Sequence, residues 1–156
     1  LHMKQAAQLL IATILLTFQL GTATAEEEQI VIEDLSRAEL RAQIERIQNE
    51  FYRVFNTLNE DDNLDIVCHS YKPTGSNINE EACEPQFVID RRAENASDAR
   101  RNLDVLLTPQ SLQSDLAAEY EQLTAAMNAV SAESDYFKEL NLILGVLRER
   151  LEEIAG

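Results

Sequence analysis

Glycine is scarce in this chain of 156 residues: Gly21, Gly75, Gly145 and Gly156 stand too far apart to form a Gly-rich loop that cradles phosphate. Nucleotide chemistry of that kind is excluded. Histidine is almost as rare, with His2 near the start and His69 beside Cys68. A Ser-His-Asp or Cys-His arrangement needs a histidine free to act as base, so hydrolysis by those routes is not expected either. Positive charge is thin: 13 Lys and Arg oppose 28 Asp and Glu, a net charge of −15. Nucleic acids and anionic lipids are bound by Lys and Arg that neutralise phosphate, so neither is an expected partner. Cations and cationic peptides stay open as partners. Carboxylates are so numerous that their pairing says nothing about acid–base catalysis. The chain reads as a non-enzyme without cofactor or metal.

Long apolar runs are missing as well. The longest, Leu9 to Leu20, is interrupted by Thr13, Thr17 and Gln19 and falls short of the about 20 residues a membrane span requires. With Lys4 ahead of it and Ala23-Thr24-Ala25 behind it, residues 1–25 read as a secretory signal peptide cleaved near Ala25. Leu1-His2 reads as a cloning remnant before a start at Met3. A periplasmic or secreted location follows, with membrane contact only if this segment is retained. Removing it takes Lys4 from the 13 basic residues and no acid, which leaves 12 against 28, a net charge of −16. Residues 26–35 read as a flexible acidic leader, and 36–156 as a single helical domain with a hairpin insertion.

Only two cysteines are present, Cys68 and Cys83. Structural zinc wants four Cys or His ligands, usually with a closely spaced pair. Cys68, His69 and Cys83 fall short of that, and His2 lies in the segment to be removed. In an oxidising compartment the pair reads as one disulfide, with free thiols as the alternative. Asp65-Ile66-Val67-Cys68 is rich in β-branched residues and Gln86-Phe87-Val88-Ile89 is its expected counterpart, which predicts a β-hairpin over about 65–88. Between them Pro73 pre-sets φ for a turn and Gly75 accepts a positive φ. Placing Cys68 opposite Cys83 puts Tyr71 opposite Glu80 and leaves Lys72 to Asn79 as loop. A cross-link closing this loop stabilises by roughly 3 kcal/mol, which matters because an isolated hairpin is marginal.

The remainder is helical in pattern. Ser36-Arg37-Ala38-Glu39 is a capping box, after which Leu40, Ile44, Ile47, Phe51, Val54 and Leu58 recur on one stripe. Four amphipathic helices are predicted, at about 36–59, 98–107, 109–131 and 134–155, so the fold class is mainly α with one small disulfide-stapled hairpin. Leu103, Leu106 and Leu107 carry the second. Thr108-Pro109 starts the third, with Leu112, Leu116, Tyr120, Leu123, Met127 and Val130 as its stripe. Phe137, Leu140, Leu144, Leu147, Leu151 and Ile154 carry the last. A single helix from 109 to 154 would reach about 69 Å and suit a coiled-coil dimer; two helices meeting near Ser131 to Ser134 suit a domain of this size better. Asp61-x-Asn63-x-Asp65 matches half an EF-hand loop, but Ile66 and Lys72 stand where Gly and Glu are required, so it reads as a polar helix stop. Asn95-Ala96-Ser97 is formally a glycosylation acceptor and is set aside for a bacterial signal peptide.

Phe51-Tyr52-Arg53-x-Phe55-Asn56-x-x-Asn59, Asp65-Ile66-Val67-Cys68, Pro73-Thr74-Gly75-Ser76 and Cys83-x-Pro85-x-Phe87 together resemble an uncharacterised family of small exported proteins of Gram-negative bacteria. The resemblance covers Ser36 to Arg92 and implies export and the cysteine pairing, with no activity attached. The expected function is that of an exported interaction or structural protein whose partner is another protein or itself. Its candidate recognition loop is Lys72, Pro73, Thr74, Gly75, Ser76 and Asn77, with a simple structural clip as the plainer reading. A self-associating coiled coil and an acidic binder of cations or cationic peptides are the alternatives.

Overall fold

The capping box forms as its residues demand. Ser36 Oγ accepts from the Glu39 N–H at 3.3 Å, and Glu39 Oε2 accepts from the Ser36 N–H at 2.8 Å. The side-chain and backbone bonds of Ser36 hold the Glu39 carboxyl below its ordinary range. Helix α1 follows as Arg37–Leu58 in a computed structural model that describes residues 31–156. Leu40, Phe51 and Val54 of its stripe are buried and Ile44 and Ile47 half-buried, while Leu58 at the end is exposed. Phe55, one position off the stripe, is fully buried too and widens it.

The cover for α1 comes mainly from α5, Asp135–Ala155. Phe51 stacks on Phe137 with ring centroids 4.3 Å apart, and Phe55 lies 6.1 Å from the same ring. At the other end Arg37 Nη2 donates to the Ile154 carbonyl at 2.6 Å. Contacts 51 to 137 and 37 to 154 make the pair antiparallel. Phe137, Leu140, Leu144 and Leu147 are buried as their stripe predicts, each contributing roughly 1.5–3 kcal/mol by leaving water.

Before α5 the chain forms α3, Pro109–Asp115, and α4, Ala117–Glu133. Thr108 caps α3 with Pro109 at the first helical position, as expected. The predicted helix at 109–131 is divided at Leu116, whose φ of −101° and ψ of 17° leave the helical range while its side chain stays buried. Ser134 is extended, accepts from the Phe137 N–H, and separates α4 from α5. The expected break near Ser131 to Ser134 is therefore observed, because a serine cap starts a new helix without glycine or proline, and the division at Leu116 adds a third helix to the two expected over 109–155.

Between α1 and α3 lie strands β1, Ile66–Tyr71, and β2, Glu80–Pro85, then α2, Gln86–Arg100. The strands pair antiparallel with Cys68 opposite Cys83 and Tyr71 opposite Glu80, the expected register. Two boundaries differ from expectation. Gln86-Phe87-Val88-Ile89 is not a strand but the first turn of α2, and the hairpin closes at residue 85. Pro85 has no N–H to extend a ladder, and helical spacing lets Phe87 and Val88 both enter the core. The helix predicted at 98–107 lies at 86–100 instead. Of the predicted stripe Leu103 and Leu106 are exposed and Leu107 is half-buried, on an irregular segment that also exposes Val105 and leaves α2 through Asn102 at φ 58°.

One core cluster joins α1, Leu64, Ile66, α2, α4 and α5. The described part of the leader includes a 3-10 turn at Ile32–Asp34, whose Glu33 carbonyl accepts from Arg150 Nη2 at 3.2 Å. The expected signal peptide and residues 26–30 lie outside the described residues. No helix among the described residues is long and apolar enough to cross a membrane.

Candidate functional site

The hairpin is joined to α1 by asparagines rather than by apolar contact alone. Asn56 Nδ2 donates to the Ile66 carbonyl and Asn56 Oδ1 accepts from the Ile66 N–H, both at 2.8 Å. A side-chain amide thus takes the place that a neighbouring strand would fill. One turn on, Asn59 Nδ2 donates to Asp65 Oδ1 at 2.7 Å, and Asn59 Oδ1 accepts from the Asp61 N–H. Asp61 Oδ1 in turn accepts from the Asn63 N–H. The half EF-hand therefore spends its carboxylates on its own chain, as a polar helix stop does. No group of three or more His, Cys, Asp or Glu able to hold a metal occurs among the described residues.

Ile66 is the single buried side chain of β1, and exposure rises along the strand until Cys68 to Tyr71 all face solvent. Cys68 and Cys83 are joined with Cα atoms 4.0 Å apart. The cross-link sits halfway along an arm whose Ile66 is buried at the base and whose half-buried Cys83 packs against the core cluster. Tyr71 Oη donates to Glu80 Oε2 at 3.0 Å near the outer end, and that bond raises the tyrosine pKa by favouring its protonated form.

The candidate loop is a built turn. The Ser76 N–H donates to the Pro73 carbonyl at 3.0 Å, and Gly75 takes φ 82°, where a β-carbon would be strained. Ser76 Oγ accepts from the Ile78 N–H, which turns the chain back toward β2. Lys72, Thr74, Gly75 and Asn77 are exposed, and Pro73 and Ser76 half-buried. Ile78 is 72% exposed, a bare apolar side chain that sequence reading left unremarked within the loop. His69 is exposed on β1. Glu80 and Glu81 stand across from Tyr71 and Ser70, while Glu84 is paired with Arg92.

A second polar clamp was not legible beforehand. Asn95, 4% exposed, donates to the Val105 carbonyl at 2.9 Å and accepts from the Leu107 N–H at 2.9 Å. It fixes the segment that leaves Leu103, Val105 and Leu106 at 70%, 74% and 70% exposure. Where the ends of α1 and α4 meet, a hollow of about 320 Å³ is lined by Leu58, Glu60, Asp61, Val130 and Glu133. Its carboxylates converge on no common point with a partner. The chain matches no family model, no curated protein and no solved structure.

Proposed function

We propose that the protein is an exported, periplasmic or secreted, non-enzymatic interaction protein that displays the hairpin tip, Lys72 to Asn79, to another protein. The supporting observation is the hairpin's outer half: it is stiffened by a disulfide and ends in an ordered turn, yet it adds no buried side chain beyond Ile66. Beyond the cross-link, which touches the core through Cys83, the rigid exposed turn suits contact, because little entropy is lost when it binds. A disulfide also agrees with an oxidising compartment, as does the resemblance of Ser36 to Arg92 to exported bacterial proteins. The stripes of α1 and α5 cover each other within one chain, which favours this reading over a self-associating coiled coil.

The test is a pull-down from periplasmic extract with the intact protein and with Lys72–Asn77 replaced by Gly-Ser. A specific protein retained by the first and lost by the second, with unchanged thermal melting of the bait, is the expected result. Identical captures by both would place the contact elsewhere and remove the tip from consideration.

A further inference from the structure

The hairpin has an open edge whose phase can be read from its bonds. The Gln86 N–H donates to the Asp65 carbonyl at 2.8 Å, so Asp65 and Gln86 form a hydrogen-bonded pair of the ladder. Pairs alternate in antiparallel strands, which makes 67 with 84, 69 with 82 and 71 with 80 hydrogen-bonded, and 66 with 85, 68 with 83 and 70 with 81 not. Two further observations agree. Pro85, opposite Ile66, has no N–H to give, and Cys68 and Cys83 have the close Cα spacing of 4.0 Å that belongs to the other kind of pair.

On β1 the N–H and carbonyl of Ile66, Cys68 and Ser70 therefore point outward. Asn56 occupies the first of these places with its amide, acting as one peptide unit of a third strand. The next two, at Cys68 and Ser70, carry no bond from any side chain or loop among the described residues, and both residues are exposed. The two edges differ in charge. β2 carries Glu80, Glu81 and Glu84 and ends in Pro85, the devices that blunt an edge against pairing, whereas Ile66 to Tyr71 holds no acid and is followed by Lys72.

We infer that the β1 edge accepts an extended segment of a partner polypeptide, which adds as a third strand by pairing its backbone with Cys68 and Ser70. This rests on the reading of the hairpin as a contact element and specifies how the contact is made. Backbone bonds supply attachment, and alternate side chains of the incoming strand lie beside His69 and Tyr71, where β-branched or aromatic residues pack best. A segment bearing Lys or Arg fits a chain with net charge −15 whose neighbouring strand carries three glutamates. A second copy of this chain fits less well: two exposed strand edges cover far less than the about 800 Å² per partner of a stable dimer, and both copies are strongly acidic.

The probe is a library of short displayed peptides panned against the oxidised full chain. Enrichment of basic peptides with β-branched or aromatic residues at every second position is expected. Selected peptides should slow amide exchange at Cys68 and Ser70, leave His69 unchanged because it already bonds within the ladder, and lose about tenfold or more in affinity for Ser70→Pro. Ser70→Ala should bind as the parent does. Proline at 70 removes an N–H the hairpin does not use; should the variant unfold, N-methylation of alternate peptide amides tests the same bonds without altering the protein. Failure to enrich any peptide, or binding indifferent to Ser70→Pro and to N-methylation, would overturn the inference. A tip replacement that loses its partner while Ser70→Pro keeps it would leave the interaction reading standing and this one fallen.

Discussion

Set β1 beside α1, and two ways of holding a shape become visible in one chain. α1 keeps its course because Leu40, Phe51, Val54 and Phe55 leave water against α5 and its neighbours. β1 buries only Ile66 and is held by a covalent bond, an aligned asparagine and a partner strand. The helical body draws on area, which tolerates many substitutions of similar size. The arm draws on a few directional bonds, each of which has no replacement.

The largest effect should come from the body. Phe137→Ala removes the ring that stacks on Phe51 and should cost about 3–5 kcal/mol, read as a lowered urea midpoint with helix and hairpin signals falling together. If the hairpin survived that loss, the contrast would be sharper than drawn. Replacing both Cys68 and Cys83 by alanine should cost about 3 kcal/mol by freeing the unfolded loop. That loss should show as faster amide exchange in β1 and β2, while the helical circular dichroism stays; simultaneous melting of the helices would erase the contrast. Asn56→Ala strands the N–H and carbonyl of Ile66 and should cost about 2 kcal/mol, with exchange at Ile66 rising first.

The smallest effect concerns charge on the body. Arg53 donates two hydrogen bonds to Glu50 and Tyr136 Oη donates a third, which hold the Glu50 carboxyl down to about 2 from its ordinary 4.5. The folded value lies below the unfolded one, so what this cluster contributes, chiefly the Arg53–Glu50 pair within α1 with Tyr136 of α5 added, is fully present above pH 4.5 and is lost as pH falls through about 2. Carboxyl NMR titration should find Glu50 still ionised at about pH 3.5, between those two values; an ordinary midpoint would show the cluster open in solution.

The same contrast explains what could be read from the residues alone. Stripes announce a helix wherever leucines seek the core, so α1, α4 and α5 were legible with their buried faces. The register followed from two cysteines and one turn. α2 was missed because Phe87, Val88 and Ile89, one aromatic and two β-branched residues, imitate a strand, and because tertiary packing outweighs such local preference. The segment 101–107 was mistaken for a helix because three of its apolar residues stay in water, contrary to the assumption behind any stripe. Asn56 and Asn95 escaped notice for a simpler reason: a polar side chain does not name its partner, and theirs lie ten to twelve residues away.

The burial of Asn95 carries a practical consequence. It heads the triplet Asn95-Ala96-Ser97, which a eukaryotic secretory host would recognise on the nascent chain. A sugar attached there would precede folding and take up the very nitrogen that later bonds to the Val105 carbonyl. Such a host would accumulate chains unable to close the turn after α2, whereas Ser97→Ala, or a bacterial host, would spare them.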